Sequence, residues 1–214
     1  METQDSKKSK KVFNLIIVDE SGSMSLIHQQ AFTGMNETLQ TVRQMQQKFP
    51  EQEQRVTFVT FNSAKTTWHY DNTLASQTKD ISWEAYCPSG CTPLYDAMGT
   101  TIAKVNAQVT DDDNVLVTVI TDGEENSSRE WTLKMIRTMI DKLKKQNWTF
   151  TLIGTDNLNV ESMAHSFAID NHLEFHQDDE GTKNMFIRER SCRERYNRCV
   201  SEDASMPKGS FFDE

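Results

Sequence analysis

Asp19, Ser21 and Ser23 stand at alternate positions directly after an apolar run, in the stretch FNLIIVDESGSMS. One carboxylate and two hydroxyls at this spacing can turn their oxygens toward one centre, and Gly22 permits the tight turn that this requires. Oxygen donors suit a hard cation such as Mg²⁺, Mn²⁺ or Ca²⁺ and disfavour zinc or copper. Taken alone, the same serines could simply cap the helix that follows. The stretch therefore raises the hypothesis of a cation site, which other parts of the chain must support.

Two further oxygen-bearing residues lie at the ends of predicted elements. Asp122 follows the apolar run VLVTVIT, and Thr92 lies in GCTP, immediately before a predicted helix. Asp122 and Gly123 could by themselves form no more than a turn. In open α/β sheets, however, ligands bind beyond the carboxyl ends of the strands, near the point where strand order reverses. We therefore expect Asp122, Thr92 and the first loop to lie on one rim of the sheet.

The elements that must position these residues follow from the apolar pattern, because buried strands show short β-branched runs and amphipathic helices a period near 3.6. The predicted strands are Val12–Val18, Val56–Phe61, Thr66–Tyr70, Val115–Thr121, Trp148–Ile153 and Leu173–His176. The predicted helices are Ile27–Phe49, Leu94–Val109, Trp131–Leu143, Val160–Phe167 and Asn184–Val200. In the third helix we expect Met135, Ile136, Met139, Ile140 and Leu143 to face inward. Alternating strands and helices predict an α/β fold, with a mostly parallel sheet covered on both faces.

Composition limits the class of protein. The chain of 214 residues has a net charge of -9, which disfavours binding to nucleic acid or to an anionic membrane. No apolar run approaches the roughly 20 residues needed to span a bilayer, and the first residues contain no apolar segment typical of a secretory signal. We expect a cytoplasmic protein with a flexible N-terminal tail over residues 1–11, one domain over residues 12–200 and a flexible C-terminal tail over residues 201–214. The terminal sequence FFDE could instead be a short docking segment.

Cysteines and an acidic loop complete the candidate features. Cys87, Cys91, Cys192 and Cys199 are expected to be reduced thiols in a cytoplasmic protein, and their spacings do not match the usual zinc motifs. A disulfide between the first two is sterically conceivable. The residues 124–126 after Asp122 are expected to form a solvated loop that adds negative charge at the rim, or that tunes the choice of partner.

Asp19-x-Ser21-x-Ser23, followed by Thr92 and then Asp122, resembles the metal-ion-dependent adhesion site (MIDAS) of von Willebrand factor type A (vWA) domains. The surrounding stretches DESGSM, GCTPLYDA and ITDGEEN match as well, and the resemblance covers about residues 12–176. It implies a Rossmann-like, doubly wound, mostly parallel sheet with one antiparallel edge strand and helices on both faces. It also implies that Ser21, Ser23 and Thr92 bind the cation directly, whereas Asp19 and Asp122 act largely through waters.

The resemblance further implies a bacterial-type, stand-alone domain that mediates metal-dependent protein–protein interaction, in which a partner protein supplies an acidic ligand to the cation. The partner could be an ATPase, a kinase or another stress-system component. Two features separate the chain from extracellular relatives: it lacks a signal sequence, and its cysteines do not lie at the two ends of the domain. Adhesion to an extracellular matrix is therefore not expected.

Two other functions remain open. Asp19 could be the nucleophile of a metal-dependent phosphoryl-transfer hydrolase, but haloacid dehalogenase-like hydrolases resemble D-x-D, and Ser21 replaces the second carboxylate. The chain also lacks the glycine-rich motifs that bind phosphate groups. The third function is a metal-independent scaffold. We predict a binding protein rather than an enzyme.

Overall fold

The computed structural model describes residues 9–204 and 210–213. The strands are β1 (Lys10–Asp19), β2 (Gln52–Phe61), β3 (Thr66–Leu74), β4 (Asn114–Thr121), β5 (Trp148–Thr155) and β6 (Asn171–Phe175). The helices are α1 (His28–Lys48), α2 (Leu94–Asn106), α3 (Leu133–Leu143), α4 (Val160–Phe167) and α5 (Asp179–Ser201). Each predicted strand and helix is present, most with ends that differ by a few residues. The largest differences are α5, which starts five residues earlier, and a short 3₁₀ helix over Gly22–Ile27 that leads into α1.

The six strands form one sheet in the order β3-β2-β1-β4-β5-β6. β3 pairs antiparallel to β2 at the edge, and all other neighbours are parallel. The predicted fold class, a Rossmann-like, mostly parallel sheet with one antiparallel edge strand, is therefore confirmed. The chain winds outward from β1 in both directions, so strand order reverses between β1 and β4. The carboxyl ends of these two strands form the cleft where such sheets bind ligands.

β1 is buried on both faces, which explains its continuous apolar sequence. Val12, Ile16 and Val18 pack in the core beneath α1 and α5. Phe13 and Ile17 belong to the opposite core, beneath α2, α3 and α4. Because side chains alternate along a strand, this one element anchors both helical layers to the sheet.

A buried polar network interrupts the core beneath α5. Arg193 is fully buried and donates hydrogen bonds to Glu189, to Oδ1 of Asn14 at 2.6 Å and to Oγ1 of Thr118 at 3.1 Å. Asn14 in turn donates to Oε1 of Gln54 at 2.9 Å. These bonds join α5 to the middle of β1, β2 and β4, and the apolar pattern of the sequence did not indicate them.

Both predicted tail boundaries differ from the structure. Lys10 and Lys11 belong to β1 rather than to an N-terminal tail, and residues 1–8 lie outside the described residues. At the other end, Phe211 and Phe212 are buried against the core under α5, where Phe211 packs near Tyr196. The backbone amide of Phe211 donates a 2.9 Å hydrogen bond to Asn171. The expectation of a loose C-terminal tail is therefore wrong for this pair, whereas residues 205–209 and 214 lie outside the described residues.

The prediction for α3 is wrong at one position. Ile136, Ile140 and Leu143 are buried as expected, but 45% of Met135 is exposed. In the described part of the chain, no helix is both long and apolar enough to cross a membrane.

Candidate metal centre

All five predicted site residues lie at the carboxyl edge of the sheet. Asp19 is the last residue of β1, and Asp122 directly follows β4. Ser21 and Ser23 lie in the turn and the 3₁₀ helix after β1, and Thr92 lies two residues before α2 begins. The reversal of strand order between β1 and β4 is what brings two loops about a hundred residues apart into one place.

The first loop folds around the carboxylate of Asp19. Its Oδ1 accepts a 2.7 Å hydrogen bond from the backbone amide of Ser21, which closes the turn. Its Oδ2 accepts a 2.6 Å bond from the hydroxyl of Thr121, at the end of β4. The hydroxyl oxygens of Ser21 and Ser23 lie 3.1 Å apart. The two serine hydroxyls are therefore side by side, as their alternate spacing predicted, rather than capping a helix: no side-chain cap bond forms at this helix start.

Asp122 connects the two halves of the rim. Its Oδ1 accepts a 2.7 Å hydrogen bond from the hydroxyl of Ser23, and its Oδ2 accepts a 3.0 Å bond from the side-chain amide of Gln177. Gln177 follows β6 and was not singled out from the sequence. Gln177 also lies just beyond a strand end, where ligand-binding residues are expected. A single glutamine belongs to no recognisable motif, so the sequence did not indicate it.

Gly123 shows how closely Thr92 approaches this group. A Cβ atom at Gly123 would lie 2.9 Å from Oγ1 of Thr92, and 3.7 Å from both Oδ2 of Asp19 and Oγ of Ser23. Oxygens from three separate loops therefore surround one small space, which the missing side chain of glycine leaves open. All five predicted residues are brought together.

The two carboxylates are buried without a basic partner. Asp19 is fully buried and Asp122 is 2% exposed, and neither forms an ion pair with any described lysine, arginine or histidine. Burial raises the pKa of Asp19 to about 6, although hydrogen bonds from Thr121 and Ser21 oppose this shift. The negative charge of Asp122 adds to the increase. Burial likewise raises the pKa of Asp122. Two such carboxylates would be stabilised by a cation placed between them.

Glu20 organises the loop that carries Thr92, and sequence reasoning missed it. Its side chain is buried, and its two oxygens accept 2.8 Å hydrogen bonds from the hydroxyl of Thr60 and from the backbone amide of Cys87. Its backbone carbonyl accepts a bond from the amide of Ser89. The loop over residues 86–92 is thus held against the loop that follows β1. The position of Glu20 directly after Asp19 was the only hint in the sequence of a role at the rim. Its burial could not be predicted, because it depends on contacts with β2 and with the loop over residues 86–92.

The acidic loop after Asp122 is largely exposed, as expected, and it also holds neighbouring backbone in place. Asn126 exchanges two hydrogen bonds with Thr92: its Oδ1 accepts from the backbone amide of Thr92 at 2.9 Å, and its own amide donates to the carbonyl of Thr92. Glu125 accepts a 2.9 Å bond from the backbone amide of Tyr95, in the first turn of α2. Glu124 and Asn126 are exposed, as expected, and Glu125 is partly buried. Asn126 therefore holds Thr92 in place, and Glu125 holds the start of α2.

The four cysteines are free thiols, with Cys87 and Cys91 exposed near the rim. The conceivable disulfide between these two is absent. Among the described residues, no group of three or more histidine, cysteine, aspartate or glutamate side chains could hold a metal ion. The donor set at the rim is accordingly distinguished by its hydroxyl groups, which suit a hard cation.

Comparison with known proteins agrees with this architecture. The family model described as von Willebrand factor type A domain matches residues 15–188. No curated protein sequence was found to match this chain.

Three solved structures illustrate the similarity of fold. The SpRpn10 VWA domain is 14% identical, with a TM-score of 0.57, covering 82% of this chain and 93% of that chain. The vWF domain of the type V pili tip protein Mfa5 from Porphyromonas gingivalis is 9% identical, with a TM-score of 0.60 and coverages of 94% and 98%. Proximal thread matrix protein 1 from the mussel byssus is 14% identical, with a TM-score of 0.57, but the alignment covers 84% of this chain and only 45% of the mussel protein. At these identities the likeness shows the fold alone.

Proposed function

Because the chain belongs to the von Willebrand factor type A domain family, whose members generally mediate protein–protein interaction, we propose that it binds a partner protein through a divalent cation. The cation is held by Asp19, Ser21, Ser23, Thr92 and Asp122. Mg²⁺ is the proposed ion, with Mn²⁺ or Ca²⁺ as substitutes, since all the donors are oxygens.

The observation that carries this proposal is the pair of buried carboxylates, which form no ion pair with any basic residue in the described part of the chain. Removing a carboxylate from water is costly unless a positive charge compensates for it. Asp19 and Asp122 use hydrogen bonds from hydroxyl, amide and backbone groups instead. The open space beside Gly123, onto which three hydroxyl or carboxylate oxygens face, is where a small cation fits the donor set.

The proposed roles follow the chemistry of the donors. Ser21, Ser23 and Thr92 bind the cation directly through neutral hydroxyls, and Asp19 and Asp122 act through waters and orient the hydroxyls. A cation held mostly by neutral ligands keeps an affinity for one more carboxylate. The partner is therefore proposed to be a protein that presents an acidic side chain to this rim.

We propose that this interaction takes place in the cytoplasm, within a multi-protein complex, and that the chain catalyses no reaction of its own. Ser21 stands where a phosphoryl-transfer enzyme with Asp19 as nucleophile would use a second carboxylate as acid and base. An ATPase, a kinase or a stress-system component is the proposed type of partner.

Thermal unfolding in Mg²⁺ or Mn²⁺ tests the cation proposal. A ligand that binds only the folded state stabilises it by about 2.7 kcal/mol at a hundredfold excess over its dissociation constant. We expect the wild type to gain stability in millimolar metal, the Asp19→Ala variant to gain none, and the control Asp111→Ala, altered in an exposed loop on the opposite side of the sheet, to respond as the wild type. A wild type that does not respond to either metal would exclude the cation site.

Affinity capture with and without a chelator tests the interaction. Proteins retained by the wild type in Mg²⁺ should be lost in EDTA and lost with Asp19→Ala, while Asp111→Ala retains them. Recovery of the same proteins under all conditions would contradict metal bridging, and metal-dependent release of phosphate from simple phosphoesters would contradict the absence of catalysis.

A further inference from the structure

The exposed side of α3 carries an apolar stripe that the core covers only in part. Ile136, Ile140 and Leu143 are buried against the sheet, as a single apolar face requires. Met135 and Met139 form a second stripe, of which Met135 is 45% exposed and Met139 partly buried. The apolar face of this helix is thus wider than its packing against the sheet needs, which is why Met135 was predicted to face inward.

The second stripe lines a groove. Met135, Met139 and Leu143 border a space of about 410 Å³, together with Lys134, Lys142 and the last residue of α2. Methionine side chains are flexible and polarisable and are frequent at surfaces that accept peptide segments. Exposed apolar groups rimmed by charged residues are typical of interaction sites.

The charge of this surface is opposite to that of the protein. Residues 133–145 contain five basic side chains and one acidic side chain, although the whole chain has a net charge of -9. Arg137 lies near Asp141, and Lys144 pairs with Asp170. Lys134 and Lys142 form no ion pair with any described residue. The two lysines that border the groove are therefore left free to meet charges from outside.

We infer that this surface, Lys134, Met135, Met139, Lys142 and Leu143, binds an acidic amphipathic segment of another protein. Apolar side chains of the segment would cover Met135 and Met139, and two of its carboxylates would meet the lysines. Lys134 and Lys142 are eight residues apart, which places them about 12 Å apart along the helix at about 1.5 Å per residue. A partner helix with carboxylates two turns apart and leucines between them matches this spacing.

This surface is separate from the rim. α3 begins near the end of the loop after β4 and runs away from the rim, so the groove lies along the helical layer that covers one face of the sheet. The inference does not depend on the proposed cation, and binding here is expected to persist in EDTA. Its failure or success therefore leaves the cation proposal untouched.

Methyl NMR with ¹³C-labelled methionine tests the inference directly on the full chain. The probe is the peptide EELLEELLEELL, added in EDTA. We expect the methyl signals of Met135 and Met139 to shift, with Met135→Leu used for assignment, and those of Met24, Met35 and Met185 in the opposite core to stay unchanged. The peptides KKLLKKLLKKLL and EESSEESSEESS, which reverse the charge or remove the apolar groups, should cause no such shift.

Charge reversal supplies the matched control. Lys134→Glu combined with Lys142→Glu should weaken peptide binding at least tenfold, whereas Lys79→Glu with Lys183→Glu changes the net charge equally at exposed positions elsewhere and should not. The inference is overturned if millimolar peptide leaves both methyl signals unmoved, or if the two double variants bind equally. It is also overturned if vesicles of phosphatidylserine, rather than the peptide, shift these signals, since the surface would then be a membrane contact.

Discussion

Ser23 donates a 2.7 Å hydrogen bond to Asp122, and so joins the loops after β1 and β4 across 99 residues of sequence. This bond holds a hydroxyl and a carboxylate at one rim, where the carboxylate forms no ion pair with any basic residue that the structure describes. Because Ser23 donates its proton to Asp122, its contact with the Ser21 hydroxyl uses one lone pair and leaves the other for a further contact. The bond therefore orients Ser23 in a way compatible with binding a cation.

Gly123→Ala should impair the proposed metal response. The added methyl would lie 2.9 Å from Oγ1 of Thr92, so the threonine must move away from Asp19 and Ser23. We expect at least a tenfold loss of Mg²⁺ affinity in a thermal-shift titration. The matched control is Gly22→Ala: the turn does not require glycine there, since Gly22 has no positive φ, and the added methyl would approach no atom closer than 3.4 Å, so the affinity should stay near that of the wild type. Equal affinities in the two variants would show that Thr92 does not contribute.

Glu20→Ala should destabilise the protein by about 1–3 kcal/mol, because it removes the acceptor shared by the buried Thr60 hydroxyl and the part-buried Cys87 amide, and leaves the hydroxyl only its contact with His69. Urea unfolding measures this loss. Glu20→Gln keeps one carbonyl oxygen and should lose less. If the alanine variant is as stable as the wild type, Glu20 does not hold the loop over residues 86–92.

Removing Arg193 alone should cost more than removing it with its partner. Arg193→Met leaves the buried carboxylate of Glu189 uncompensated, which costs about 3–5 kcal/mol. Adding Glu189→Met to this variant should recover part of that loss, since the isolated buried charge is gone. The comparison is made by urea unfolding of the two single variants and the double variant. Strict additivity would mean that the pair is not coupled.

Phe211→Ala should lower stability by about 3 kcal/mol, the usual cost of truncating a buried phenylalanine. Asp213→Ala, at an exposed position two residues further, should have almost no effect. Thermal or urea unfolding distinguishes them. Similar stability of both variants would restore the expectation of a loose C-terminal end.

His176 should titrate above its ordinary pKa. Its Nδ1 lies 2.8 Å from Oδ2 of Asp156, and this hydrogen bond and the aspartate charge raise the pKa of His176 and lower that of Asp156. The stabilising effect of the raised histidine pKa is present below its unfolded value and is lost as pH rises through the folded value. The stabilising effect of the lowered pKa of Asp156 is present above the unfolded pKa and is lost as the pH falls through the folded pKa.

The measurement for this pair is an NMR titration of the histidine ring. In the Asp156→Asn variant the pKa of His176 should fall back toward the ordinary value of about 6.5, and Asp170→Asn serves as a control away from the ring. An unchanged titration in Asp156→Asn would exclude the contact.

The order of the elements and the five rim residues could be predicted from local pattern. Runs such as VFNLIIV are apolar because both faces of a central parallel strand are buried, and that burial leaves a direct record in sequence. Asp19, Ser21, Ser23, Thr92 and Asp122 could be singled out because they stand at the ends of such runs. Their convergence follows from the strand-end rule, which needs no distances.

Other features depend on which residues from distant segments meet. The burial of Glu20, of Glu189 with Arg193 and of Phe211 with Phe212 could not be predicted, since each depends on a neighbour from a different element. Met135 was misplaced because helical periodicity gives the direction of an apolar face but not how wide a face the sheet can cover.

The sequence by itself determined the fold class and the chemistry of the rim, because burial and ligand type are properties of individual residues and their spacing. Only the tertiary structure decided that Asp19 and Asp122 are buried without an ion pair to any described basic residue, that Asn126 supports Thr92, and that α3 leaves Met135 exposed. Those facts depend on the distances between groups far apart in the chain, and local sequence carries no record of such distances.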